Sequence, residues 1–128
     1  MKFDTGMIQH PRNQFASYHA HVYFDESTIE QARALCSAAA KQFGVTMGRV
    51  HEKPVGPHPR WSCQLAFDAS RFDALIPWLD AHRAGLSILV HARTGNDLED
   101  HTTNASWLGE PVALNLSIFQ GAPGTPRN

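Results

Sequence analysis

Eight histidines stand in a chain of 128 residues that holds two cysteines and carries a formal charge of −1. Imidazole is the side chain most used to bind metals and to move protons near neutral pH, so the placement of these eight is the first question. His19 and His21 lie two apart in Tyr18-His-Ala-His-Val-Tyr-Phe24, a run with the aromatic and β-branched content of a strand. Strand alternation puts both rings on one face with Cα atoms about 6.5–7 Å apart. Rings so spaced can converge on one ion at about 2.0–2.1 Å. Two satisfied histidines on a polar sheet face would show the same spacing, so the pair alone leaves both readings open.

The other six differ in setting. His91 closes the apolar run Leu86-Ser-Ile-Leu-Val-His91. His58 sits in Gly-Pro-His-Pro, where proline on both sides restricts the backbone and fixes the direction of the side chain. Such rigidity suits a preorganised acid, base or ligand, though prolines that merely shape a turn give the same pattern. His101 follows Asp97-Leu-Glu-Asp100, acids that suit a helix N-terminus, and could face back toward a sheet. His51 reads as structural or exposed, His82 as a surface cation near a helix end, and His10 has no argued role. Trp61, Trp78 and Trp107 read as core or interface residues.

The elements that must position these rings follow from periodicity and punctuation. After the strand at 18–24, Ser27-Thr-Ile-Glu30 has capping-box spacing, and Ile29, Ala32, Leu35, Cys36 and Phe43 form a helical stripe stopped by Gly44. A strand over 45–52 runs into Lys53–Pro59, a rigid loop with three prolines and a glycine. Trp61–Phe67 is a third strand, and Asp68 opens a helix whose buried stripe is Phe72, Leu75, Ile76 and Leu79. Residues 86–91 form a fourth strand. A short helix over 97–108 and an alternating fifth strand over 112–118 follow.

The order β-α-β-β-α-β is that of a ferredoxin-like α+β sandwich, here with an extra C-terminal helix and strand. In that order the fourth strand lies beside the first and antiparallel to it. His91 then meets His19 and His21, and three imidazoles converge on one spot. Helices cover only one face of such a sheet. A homodimer with facing sheets, of the dimeric α/β-barrel type, is the economical way for so short a chain to hide the other.

Composition bounds the rest. At 42% hydrophobic and 18% charged residues the chain is one globular domain, 1–128, with an irregular arm over 1–16 and a loose tail over 121–128. Near-neutral charge gives no general attraction to nucleic acid. No stretch is apolar enough for a membrane span, and the N-terminus lacks a signal-peptide core, so a cytoplasmic protein is expected. Cys36 and Cys63 read as buried small apolar groups.

Four stretches taken together resemble the DOPA 4,5-dioxygenase family of small extradiol-type ring-cleaving enzymes. They are Tyr18–Phe24, Pro54-Val-Gly-Pro-His-Pro59, Leu86–His91 and Asp100-His-Thr-Thr-Asn-Ala-Ser-Trp-Leu-Gly109, in the family's order over about 90 residues. The resemblance marks His19, His21, His58, His91 and His101 as the family's histidines. It also implies a mononuclear non-haem metal, Fe(II) before Zn(II), and O2 insertion beside the diol of a catechol.

On that footing His19, His21 and His91 are the expected metal ligands, with His58 and His101 as acid and base. Arg93 is the first of three arginines, with Arg49 and Arg60, to consider for a substrate carboxylate. Non-haem iron sites commonly add a carboxylate to two histidines. Here Glu52, Asp97, Glu99 and Asp100 are the candidates, and an all-histidine set is the other possibility. A metal-binding module without oxygenase activity, or a zinc-dependent hydrolase or isomerase, would use the same residues.

Overall fold

The computed structural model describes residues 9–120. Its elements run β1 (Ser17–Phe24), α1 (Ile29–Phe43), β2 (Thr46–His51), β3 (Trp61–Asp68), α2 (Ala69–His82), β4 (Ile88–Ala92), α3 (Asp97–Asp100), β5 (Ala105–Leu108) and α4 (Ser117–Gln120). The strands form one antiparallel sheet in the order β2-β3-β1-β4-β5, so the first four keep the ferredoxin-like arrangement and β5 extends the edge. Among the described residues no helix is long and apolar enough to cross a membrane.

Alternation in β1 divides its side chains between two environments. Tyr18, Ala20, Val22 and Phe24 enter the main core beneath α1 and α2, with Leu35, Leu65, Leu75, Leu79 and Ile88. Full burial of each large aliphatic side chain stabilises the fold by roughly 1.5–3 kcal/mol. Cys36 and Cys63 lie inside this core as free thiols, as their positions predicted. The Tyr18 hydroxyl accepts hydrogen bonds from the backbone N–H groups of Gln14 and Phe15 at 2.7 and 2.8 Å. That contact ties the arm before β1 to the core, and further out Gln9 O accepts from Trp107 N at the β5 edge.

Both long helices follow their predicted stripes. α1 buries Ala32, Leu35, Cys36 and Ala39 and ends at Gly44, whose φ of 70° lets its N–H reach Ala40 O. The capping box does not form: Thr28 makes no side-chain cap, and Asp25 Oδ1 instead accepts from the N–H groups of Ser27 and Thr28. α2 is capped by the Asp68 side chain on Ser70 N and buries Phe72, Leu75, Ile76 and Leu79.

The C-terminal third departs from expectation. α3 stops at Asp100, and residues 105–108, predicted as helix, are β5 on the open edge of β4. Of residues 112–118, predicted as strand, 112–115 have no regular structure and no ladder partners, 116 lies in a turn, and 117–118 open α4. Val112 and Leu114 pack on Tyr23, Leu89, Ala105 and Trp107, so the chain's own segment covers part of the sheet face that lacks helices. Gly109, with φ of 81°, turns the chain out of β5 toward that face, and a Cβ there would stand 2.5 Å from the Arg83 guanidinium. The tail over 121–128 and the first half of the arm lie outside the described residues.

Gly109→Ala therefore forces a side chain into a left-handed conformation and against Arg83. It is expected to cost about 1–2 kcal/mol from the backbone alone. The measurement is the urea midpoint at constant slope, and an unshifted midpoint would contradict this account of the turn.

Candidate metal centre

The second set of β1 side chains, His19, His21 and Tyr23, points to the open face. The register places His19 opposite His91 and His21 opposite Leu89. His21 Nε2 and His91 Nε2 stand 3.0 Å apart in the interior, and the His19 ring lies 5.4 Å from that of His91 and 5.7 Å from that of His21. One ring nitrogen from each of the three falls within 4.8 Å of the others.

The loop and α3 bring the remaining two rings. His58 N donates to Val55 O at 3.0 Å, closing a turn in which Gly56 takes φ of 55° and Pro57 follows. This turn seats the buried His58 ring 4.0 Å from the His21 ring, with its Nδ1 2.7 Å from the Tyr23 hydroxyl. Asn115 N donates to Pro57 O at 2.8 Å and so fastens the C-terminal segment to the loop. His101 caps α3, donates from Nδ1 to Asp97 O at 2.8 Å, stacks on Phe119 at 4.8 Å and lies tilted against the His91 ring at 4.1 Å. His21, His58 and His101 form a second triple within 4.8 Å.

All five histidines marked by the family resemblance thus meet. His10, His51 and His82 stay outside the two triples, and His82 stacks on Trp78 near the end of α2. The carboxylate question has a clear geometry for Asp100. Its Oδ2 accepts from Thr94 N at 2.7 Å, and its Oδ1 from Thr94 Oγ1 and Asn104 Nδ2 at 2.8 and 3.1 Å. The buried carboxylate is committed to holding its own loop. Neither histidine triple includes an acid among the described residues.

The rings open onto a cavity of about 510 Å³ also lined by Gln64, Arg93, Asp97, Asp100 and Phe119. Arg93 lies at its exposed rim and makes no ion pair among the described residues, whereas Arg49 and Arg60 are not in the lining. Tyr23, Gln64 and Phe119 were not singled out from sequence. Tyr23 could have been, since it continues the alternation of His19 and His21.

Burial keeps the imidazoles of His19, His21, His58 and His91 uncharged. Desolvation, helped by Arg93 and His101, lowers the His19 pKa to about 4. Desolvation and then neighbouring rings lower His58 to about 4 and His91 to about 3, and hold His21 well below 6.5. Neutral imidazole is the form that ligates. His91 donates Nδ1–H to Ala92 O at 2.9 Å, so in the neutral ring its Nε2 is a bare lone pair aimed at His21 Nε2. Two nitrogens at 2.0–2.1 Å from one ion and at a right angle to each other would be about 2.9 Å apart. The observed spacing of 3.0 Å fits such a pair.

A ferredoxin-like antiparallel sheet with a pocket of buried, neutral histidines on its open face defines an α+β class able to hold a metal ion. The chain belongs to the Dopa 4,5-dioxygenase family, whose profile matches residues 18–118. It is 30% identical over 114 residues to a DOPA 4,5-dioxygenase of Amanita muscaria, covering 82% of this chain and 50% of that protein. It is 34% identical over 116 residues to an uncharacterised 21.2 kDa protein of Botryotinia fuckeliana, covering 81% of this chain and 63% of that one. The chain thus spans between half and two thirds of these curated relatives. A crystal structure of a "putative dioxygenase" from Nostoc punctiforme is 40% identical and superposes with a TM-score of 0.79, covering 93% of this chain and 97% of that one.

The neutral rings give stability a defined pH dependence. Unfolded, each titrates near 6.5; folded, His19 and His58 do so near 4 and His91 near 3. Between those values the unfolded chain binds more protons, so stability is present above about pH 6.5 and is lost as the pH falls through that window. Urea midpoints of the metal-free protein are expected to drop steadily from about pH 7 to pH 4.5. A flat profile would mean that these rings are not desolvated.

Proposed function

We propose that this protein is an extradiol-type ring-cleaving dioxygenase that inserts O2 into a catechol, with His19, His21 and His91 as metal ligands and Fe(II) as the metal. The observation that carries this reading is the convergence of their ring nitrogens, with His21 Nε2 and His91 Nε2 3.0 Å apart. The family assignment supports the reaction class. When bound, the metal would bring the diol and O2 together and lower the pKa of the catechol hydroxyls.

In this reading His58 and His101 move the protons. Both line the cavity beside the proposed ligands, so either can reach an oxygen of a ligand bound there. Arg93 holds a substrate carboxylate at the rim, the position of a cation in the cavity wall with no ion pair among the described residues. Phe119 and the Pro57 turn exclude water over the rings. The single domain would extend over 1–128, and a homodimer would cover whatever of the open face segment 109–120 leaves exposed. Sedimentation of the purified protein reads out that last point.

A three-histidine set is also used by catalytic zinc. Metal content of the purified protein, followed by Fe(II) and a catechol with and without O2, separates the readings. O2-dependent formation of a yellow ring-opened product is expected. Tight zinc with no O2 uptake across a catechol panel would favour a hydrolase, an isomerase or a binding module.

Two variants test the roles. His21→Ala is expected to fold but to retain less than about a tenth of the metal, since it removes the ring that faces His91. Full occupancy would overturn the ligand set. Arg93→Gln is expected to raise KM about tenfold for a catechol bearing a carboxylate and to leave catechol itself unchanged, as loss of one charge-assisted hydrogen bond predicts. Equal effects on both substrates would remove Arg93 from carboxylate binding.

A further inference from the structure

One buried polar group at the centre has no part in the reading above. The Tyr23 side chain is fully buried, and its hydroxyl has one hydrogen-bond partner among the described residues, His58 Nδ1 at 2.7 Å. A phenol oxygen carries one hydrogen, and a neutral imidazole carries one hydrogen on one of its two nitrogens, so the contact allows two arrangements. Either Tyr23 donates to a bare Nδ1, or a protonated Nδ1 donates to Tyr23 and the phenol hydrogen points into the interior without an acceptor. Buried donors are rarely left unmet, because their lost hydration is not replaced. Arg60, whose charge reaches the phenol, offers only donors and cannot take that hydrogen. A phenol, with an ordinary pKa near 10, carries its hydrogen at neutral pH.

We propose that Tyr23 is a positioning residue that fixes His58 in its Nε2–H tautomer, which makes His58 a hydrogen-bond donor to a ligand in the cavity and excludes it from the metal's ligand set. The two histidine triples are thereby distinguished. His21, His58 and His101 lie close enough to share an ion, but while Tyr23 holds Nδ1 the hydrogen stays on His58 Nε2. No hydrogen bond among the described residues ties His21 Nδ1, so the hydrogen that His21 Nε2 shares with His91 can move to Nδ1 and free Nε2 to ligate. His19, His21 and His91 remain. The same logic separates the two proton-moving rings. His101 gives its Nδ1–H to Asp97 O, so its Nε2 is bare and accepts a proton, while His58 presents N–H and donates one. The flanking Pro57 and Pro59 restrict the backbone that carries His58, which holds the ring against Tyr23.

The last step deepens the oxygenase reading and rests on it, whereas the tautomer is a property of the folded chain. Long-range ¹H–¹⁵N spectra of the full chain labelled in histidine, metal-free and zinc-loaded, decide the tautomer, with His58→Ala assigning the signal. The expected result is hydrogen on His58 Nε2 with Nδ1 bare, and a shift toward the other tautomer in Tyr23→Phe. With Fe(II), a catechol and O2, Tyr23→Phe is expected to lower kcat about tenfold with KM and metal content unchanged, a fraction of what an acid–base group contributes. In a His58→Ala background the same change is expected to cost less than about twofold, because the two residues act as one unit. Hydrogen on Nδ1 in the unmodified protein, or an equal loss in both backgrounds, overturns the role of Tyr23. If no catechol is consumed, the oxygenase reading fails and the spectra still decide the tautomer.

Discussion

The pairing of β1 with β4 is the constraint from which the site follows. It sets His19 opposite His91 and His21 opposite Leu89, and it fixes which face of β1 receives the imidazoles. A slip of one residue would send His19 and His21 into the hydrophobic core and bring Tyr18, Ala20 and Val22 to the open face. The core therefore enforces the register. Ala20 and Val22 are fully buried under the helices, and Tyr18 is held by the backbone of the arm. The packing that stabilises the sheet also gathers the rings, so the site needs no stabilising contacts of its own to be in register.

How far all this was legible in the sequence depended on which physical signal each part uses. The first four strands and both long helices announce themselves by periodicity, and topology then carries His91 to His19. His101 was reachable from the sequence only through family resemblance, since nothing in the spacing of a four-residue helix tells which way its cap points. β5 was missed because Ala-Ser-Trp-Leu is too short to show alternation and follows an acidic helix start. The alternation of Val112, Leu114 and Leu116 is real, but it reports one-sided partial burial rather than pairing, and Ile118 is exposed on α4. The segment lies across the sheet as a cover and forms no ladder. At α1 the capping residues have the right spacing, yet the charged Asp25 takes the Ser27 N–H that Glu30 would have capped, together with that of Thr28.

The five rings come from four separate pieces of chain, each held by a different device. Two rest on the core strand, one on its neighbour, one on a proline-bounded turn and one on a helix cap. The pieces that come from loops are also the ones bound to each other, through Asn115 with Pro57 and through Phe119 with His101. A rigid strand pair thus supplies the convergent nitrogens, and a connected roof supplies the groups that would address a ligand. This division matches the general tendency for function to sit on loops carried by a stable scaffold.

The commitment of Asp100 to Thr94 and Asn104 has an electrical consequence. The imidazoles of His19, His21, His58 and His91 are held neutral by burial, and the one buried carboxylate among the described residues gives three acceptor contacts to its own loop. A dication seated among such rings would get no counter-charge from them, because imidazole supplies electron density without charge, and Asp97 and Asp100 in the cavity wall, opposed by Arg93, would offset it only in part. The rest of the balance in a desolvated pocket would come from whatever else enters it. A wall built this way discriminates by valence before it discriminates by shape: it rewards a guest able to arrive as, or become, an anion.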